Sequence, residues 1–399
     1  MADPPWPLCV QGAQPRLSCL PDPRPVRLLK KDPVRQPLTA TGLARGPRPD
    51  PALVTEAVGQ ALERLDTGVA SGLLLFLSAE FARHAQDVVA TASRAANCLQ
   101  VYGATVPGVF TEDDWVLDGA GVAVLAFRGD LSLTPAGNGS TAPRLSLAEP
   151  SCLPDTWRTS TPPRFGALAT DTAGQGAGRV WSRGRVISEG AVELELRGLQ
   201  TRLGCSRGLQ ALTPPAHVTS AAAYELQGID GQGALDHLLS ALPPGFDTPP
   251  IQFAFAAILD EKASVDPQAF EAGRYHLVPL IGANPTERSL TLTEQIPPGE
   301  KLVWCLRSPE AAIADTSALL DRLAPPGAPA PLAAVMISCI GRGPYFFSGV
   351  DRDLALVKER FPHLPIVGAY SAGEITPTPG GNALIHNSAV LALLNAHDS

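Results

Sequence analysis

Apolar residues recur along this chain at two spacings, and the changes of spacing mark out its elements. Short uninterrupted runs are of strand length and predict strands buried on both faces. They are Leu73-Leu74-Leu75-Phe76-Leu77, Val122-Ala123-Val124-Leu125-Ala126-Phe127, Ala333-Ala334-Val335-Met336-Ile337 and Ala389-Val390-Leu391-Ala392-Leu393-Leu394. Elsewhere the interval lengthens to three and four. Val54, Val58, Ala61, Leu62 and Leu65 share one face of a helix that starts at Pro51. Leu354, Leu356, Val357 and Phe361 make another such face, closed off by Pro362 and Pro365. Further helices are expected after the turn at Ser78, over 233–242 and over 311–323, and further strands over 253–259, 275–281 and 302–307. Strict alternation in Ala191-Val192-Glu193-Leu194-Glu195-Leu196 predicts an antiparallel, half-buried strand. The fold class expected is α/β (α+β), with mixed sheets flanked by helices.

The pattern repeats. Gly103-Ala104 followed by Gly108 has the spacing of Gly368-Ala369 followed by Gly373, and each set comes after strand then helix and before an apolar strand. Matching order around a matching motif predicts an internal duplication into two related halves. Residues 1–50 fit neither spacing. Pro4, Pro5, Pro7, Pro21, Pro23, Pro25, Pro47 and Pro49, with Arg24 to Arg35 and Arg45, predict a disordered Pro/Arg-rich leader. The domain plan expected is therefore a leader over 1–50, then halves over 51–210 and 211–399.

Composition narrows the partners. With 45% apolar and 18% charged residues, the 399-residue chain has material for substantial cores. A net charge of −8 leaves no basic surface for nucleic acid. No apolar run approaches the roughly 20 residues of a membrane span. The opening Met1-Ala2-Asp3-Pro4-Pro5 lacks a secretory pattern, so a cytoplasmic location is expected. Seven cysteines stand singly, without a C-x-x-C pair, so neither zinc nor thioredoxin chemistry is indicated.

The candidate chemistry lies in two glycine loops near the C-terminal end. Ser338-Cys339-Ile340-Gly341-Arg342-Gly343 follows one buried strand, and Gly368-Ala369-Tyr370-Ser371-Ala372-Gly373-Glu374 belongs to the next. Loops at the ends of adjacent strands line one crevice in an open α/β sheet. Arg342 is the candidate fork for a carboxylate and Glu374 the candidate acceptor for an ammonium group. Gly341, Gly343, Gly368 and Gly373 would expose backbone donors, with Tyr370 and His386 beside them. The alternative is that Arg342 and Glu374 pair with each other. Cys339 is the candidate nucleophile, with Arg342 favouring its thiolate and His386 or His363 as its base.

Those loops, with Leu384-Ile385-His386-Asn387, resemble the C-terminal half of FIST-domain proteins, named for F-box and intracellular signal transduction. The likeness runs from about Ser71 to Leu394. It includes Gly204-Cys205-Ser206-Arg207 at the junction between halves, where Ser206 departs from the family's Gly-Cys-Arg-Pro, and the strand ending at Arg307. No F-box is recognisable. The resemblance implies a FIST N-terminal-like domain over 51–210, a C-terminal-like domain over 211–399, and a sensory module that binds a small, amino-acid-like ligand and acts through a protein partner. Alternatives are a cysteine-dependent enzyme using Cys339, a haem-binding gas sensor, and an interaction module without ligand. The seven histidines are scattered, with no C-x-x-C-H attachment and no metal-binding spacing, so neither metal nor cofactor is assigned.

Overall fold

The computed structural model describes residues 36–137, 139–170, 177–246, 248–259, 269–270, 273–378 and 381–397. Residues 1–35 of the expected leader lie outside these, but its last part is structured. Thr39–Gly46 is a strand, paired antiparallel along its whole length with Ala120–Phe127. Its residues are too small to register as an apolar run, and smallness is what the fold needs there. A Cβ on Gly42 would stand 1.9 Å from the Ala57 carbonyl oxygen of the helix Pro51–Arg64, which lies directly on the strand.

Three six-stranded sheets surround one core. The first runs in the order Thr39–Gly46, Ala120–Phe127, Gly72–Ser78, Val101–Val106, Val180–Ser182, Arg185–Val186. The second runs Leu199–Ser206, Ala389–Ala396, Ala333–Cys339, Ile366–Ser371, Gly108–Thr111, Trp115–Val116. The third joins the hairpin Glu374–Thr378 and Gly381–Ile385 to Arg164–Leu168, Arg144–Ala148, Ala191–Arg197 and Ser132–Pro135. Alternation along each strand explains the layering. Leu74 and Phe76 face Val335 and Ile337 in the shared core, while Leu73, Leu75 and Leu77 turn outward to the helices Pro51–Arg64 and Ala85–Ala95. On the far side Ala334 and Met336 meet the helices Pro309–Leu323 and Arg352–Arg360. Two sheets face to face, each covered by two helices, account for strands that are apolar on both faces.

The two halves repeat strand by strand. In both sheets the first strand pairs antiparallel with the last, the last with the second, and the second runs parallel with the third. Leu75 faces Gly103 in one sheet, and Met336 faces Gly368 at the same strand position in the other. One connection differs. Four residues join the first strand to its helix in the first half; in the second half the same connection holds residues 207–308. That insertion closes on itself, since Lys301–Arg307 pairs with Ala216–Ala222 on one side and Ala254–Leu259 on the other. Glu225–Ile229, Ser289–Leu292 and Tyr275–Asn284 complete the ring. It forms a small barrel around Trp304, Leu226 and Val278, with Leu235 and Leu238 of the helix Ala234–Ala241 packed into its core.

Strand pairing crosses residue 210. Leu199–Ser206 pairs with Ala389–Ala396, Gly108–Thr111 with Ile366–Ser371, and Glu374–Thr378 with Arg164–Leu168. The halves exchange strands, so the chain from Pro37 onward is one unit. The chain leaves the sandwich for the barrel directly after Ser206.

Gly368 shows how tightly the exchanged strand fits. A Cβ there would stand 2.0 Å from two carbons of the Phe110 ring. Gly368→Ala is expected to cost about 2 kcal/mol through overpacking, measured as a lower urea midpoint at unchanged slope. Wild-type stability would mean that the strand from Gly108 does not sit there.

Candidate functional site

The two glycine loops do lie side by side. Ala333–Cys339 and Ile366–Ser371 run parallel in register, with Cys339 opposite Ser371. What the loops present is different from the expected charged pair.

Arg342 is 1% exposed and faces inward. Its Nε donates to Asp353 Oδ2 at 2.7 Å and its Nη2 to Asp353 Oδ1 at 3.0 Å. The remaining donors reach the Ser206 carbonyl (2.9 Å) and hydroxyl (2.7 Å), the Thr316 hydroxyl (3.1 Å) and the Ala312 carbonyl (3.3 Å). A buried guanidinium is tolerated only when its donors are taken up in this way. Arg342 therefore pins the turn Ile340–Arg342 to two helices and to the end of Leu199–Ser206. It pairs with Asp353 and not with Glu374.

Three of the glycines and Tyr370 are packing residues as well. A Cβ on Gly343 would stand 2.9 Å from the Tyr370 ring, and one on Gly373 would stand 2.8 Å from Leu168 Cδ1; Gly368 abuts Phe110. Tyr370 is buried and donates its hydroxyl to Asp351 Oδ2 at 2.6 Å. Asp351 in turn caps the helix Arg352–Arg360 through Leu354 N. Burial pushes the Asp351 carboxyl up to about 6.

Glu374, Cys339 and Gly341 remain. Glu374 is fully buried; Oε2 accepts from the Ser388 hydroxyl at 2.9 Å, while Oε1 has no geometric hydrogen-bond partner among the described residues. Burial pushes this carboxyl up to about 8, against the opposing effect of Ser388. Burial, then the nearby Glu374 charge, pushes the Cys339 thiol up to about 11; the N–H groups of Asn387 and Gly341 and the Arg307 charge oppose this. Cys339 is thus no preformed thiolate at neutral pH, and the carboxylate whose charge acts on it is Glu374. Gly341 is exposed, and its carbonyl accepts a hydrogen bond from Arg307 Nη2.

Beside this group a cavity of about 940 Å³ opens between the barrel and the hairpin of the third sheet. His386 and Asn387 line it from the hairpin end, and Arg207, Arg274, Tyr275 and Glu294 from the barrel. The Arg207 guanidinium lies 4.7 Å from the centre of the Tyr275 ring. Glu294 pairs with His276 at 2.8 Å. Of the residues expected from sequence, only His386 lines this space. Arg207, Tyr275 and Glu294 escaped notice because the barrel that gathers them closes only through distant pairings. Arg207 alone carried a signal, at the junction where the family pattern breaks.

Comparison with known proteins matches residues 234–377 to the FIST C domain. The matched stretch starts at the barrel helix Ala234–Ala241 and ends in the strand Glu374–Thr378, so it takes in the Cys339–Glu374 pair and the barrel wall that carries Tyr275 and Glu294. The chain is also similar to the uncharacterized protein Rv0628c of Mycobacterium tuberculosis, at 25% identity over 232 residues, covering 57% of this chain and 60% of that protein. A second relative is the uncharacterized protein Mb0898c of Mycobacterium bovis, 26% identical over 236 residues, or 57% of this chain and 59% of the relative. The chain thus spans less than two thirds of the curated relatives it matches. A FIST C domain points to a sensory role in signal transduction. Among the described residues no helix is long and apolar enough to cross a membrane.

Proposed function

We propose that this FIST C protein is a cytoplasmic sensor that holds a small, amino-acid-like ligand in the cavity between barrel and hairpin and signals through a protein partner. One observation carries the reading: a single void of about 940 Å³ is lined by Arg207, Arg274 and Glu294, charges of both signs on the barrel side. A zwitterion is matched by such a lining, with its carboxylate toward Arg207 and its ammonium group toward Glu294. The backbone bearing Arg207 also has a route outward. Asp315 of the helix Pro309–Leu323 accepts from the N–H groups of Arg207 (2.6 Å) and Gly208 (3.1 Å) and from the Ser206 hydroxyl (3.1 Å). Ser206 is in turn held by Arg342, so ligand pull on Arg207 bears on both outer helices. The free thiols at Cys98, Cys152, Cys205, Cys305 and Cys339 agree with a reducing compartment.

The test is a thermal-shift screen against amino acids, followed by calorimetry on the best stabiliser. Arg207→Ala is expected to weaken binding at least tenfold, the loss of a charged hydrogen bond, and Arg207→Lys to recover only part. A screen in which nothing stabilises the protein, or an Arg207→Ala variant with full affinity, would remove this reading.

A further inference from the structure

Three side chains converge on one open point above Gly341, and neither the packing nor the cavity lining accounts for all of them. A Cβ built on this exposed glycine would stand 3.4 Å from Asn387 Oδ1, 3.7 Å from Cys339 Sγ and 3.8 Å from Arg307 Nη2, its three nearest atoms. Asn387 also lines the large cavity, so this point and the cavity are neighbours. The Cys339 N–H donates to the Ser388 carbonyl at 2.8 Å and the Ser388 hydroxyl to Glu374 Oε2 at 2.9 Å, which sets the fully buried Glu374 carboxyl on the inner side of Cys339, its Oε1 without a geometric hydrogen-bond partner among the described residues. A buried carboxyl oxygen without a partner is costly and calls for a role.

We propose that Cys339 is a nucleophilic site for small amino-acid-type disulfides, with Glu374 as the acceptor of its proton. Recognition rests on the cavity reading above, since Arg207 and Glu294 would hold the carboxylate and ammonium groups of such a molecule. The step is thiol–disulfide exchange. Glu374 takes the thiol proton, and the Cys339 thiolate attacks one sulfur of the incoming disulfide. The S–S bond breaks as the mixed disulfide forms, and the departing thiolate recovers the proton from Glu374. Cys339 is oxidised and the small disulfide reduced, so no further oxidant enters. The N–H groups of Gly341 and Asn387 act on the sulfur, and Arg307 adds positive charge beside it, which lowers the cost of the transient thiolate. A carboxyl raised to about 8 is matched to this task, because it ionises near neutral pH and before the thiol does. The other groups acting on the pair are Arg342 from its turn, Cys205 from Leu199–Ser206, and the Ser388 hydroxyl.

The full chain would be incubated with glutathione disulfide from pH 6 to 9, with the mixed disulfide followed by intact mass and located by peptide mapping. Cys339 is expected to react first, at a rate that climbs through about pH 8 as Glu374 ionises. Glu374→Gln should slow that reaction at least tenfold at pH 8, and Cys98→Ala, in the core of the other sheet, should leave it unchanged. Exchange at another cysteine, or equal rates with and without the Glu374 carboxyl, would overturn the proposal. Should Glu374→Gln fail to fold, the wild-type profile decides: a rate that keeps climbing past pH 8 without levelling assigns the titration to the thiol alone and refutes the role of Glu374. Calorimetry of a sulfur-free amino acid with Cys339→Ser scores the cavity separately, since that binding needs no thiol.

Discussion

Arg342→Ala is expected to destabilise the protein by about 3–5 kcal/mol while leaving small-ligand affinity in the folded fraction within twofold. The first figure follows from what the substitution strands. Asp353 is fully buried and loses both of its bonds to the guanidinium, and the Ser206 carbonyl loses its donor at 2.9 Å. An uncompensated buried carboxylate dominates that loss. Arg342→Lys should recover only part, because one ammonium cannot reach Asp353 and Ser206 together. Arg342→Ala combined with Asp353→Ala should be less damaging than the sum of the two, as expected for a buried pair removed whole. Urea denaturation of wild type, the three single variants (Asp353→Ala among them) and the double variant, with calorimetry on those that fold, checks both halves. A loss under about 1 kcal/mol, with ligand affinity reduced tenfold, would return Arg342 to the role of ligand-binding residue.

Glu374→Gln should change the pH dependence of stability. The folded carboxyl is raised from 4.5 to about 8, chiefly by burial. Between those values the folded protein keeps a proton that the unfolded chain has released. The stabilising contribution is therefore complete below 4.5 and is lost as pH rises through about 8, with a steepest slope of about 1.4 kcal/mol per pH unit. Glutamine has no proton to lose. The variant should gain on wild type by a few kcal/mol between pH 5 and pH 8. Asp351, raised from 3.8 to about 6, adds a slope of the same sign at lower pH that this variant leaves in place. Unfolding free energies at pH 5, 6.5 and 8 decide the matter. Parallel curves for the two proteins would mean that Glu374 ionises normally in the fold.

The sequence placed the two loops at the ends of adjacent strands but not the contacts that their side chains make. Cys339, Gly341 and Glu374 stand where the loop argument put them, at the ends of adjacent strands. Arg342 and Glu374 look alike in sequence, each a charge in a glycine loop. They differ in what approaches them from elsewhere. Asp353, Thr316 and Ser206 come from three separate elements to take up Arg342, whereas Glu374 meets the Ser388 hydroxyl and lies beside the Cys339 thiol. No local pattern encodes that difference.

The sequence by itself determined the strands and the helices that cover them. Runs such as Leu73 to Leu77 and Ala333 to Ile337 are apolar on both faces, and the helical stripes supply their covers, so local hydrophobicity suffices to place them. The order of elements also carried the repeat. Only the tertiary structure decided which strands pair across it, because Gly108–Thr111 reaches Ile366–Ser371 over more than 250 residues and its partner is chosen by fit against Tyr370 and Gly368. The barrel was likewise beyond the sequence. Its closure depends on Lys301–Arg307 pairing with Ala216–Ala222 on one side and Ala254–Leu259 on the other, and that closure brings Arg207, Tyr275 and Glu294 to one cavity. Hydrophobic periodicity reports what a residue buries; it does not report which distant residue is buried against it.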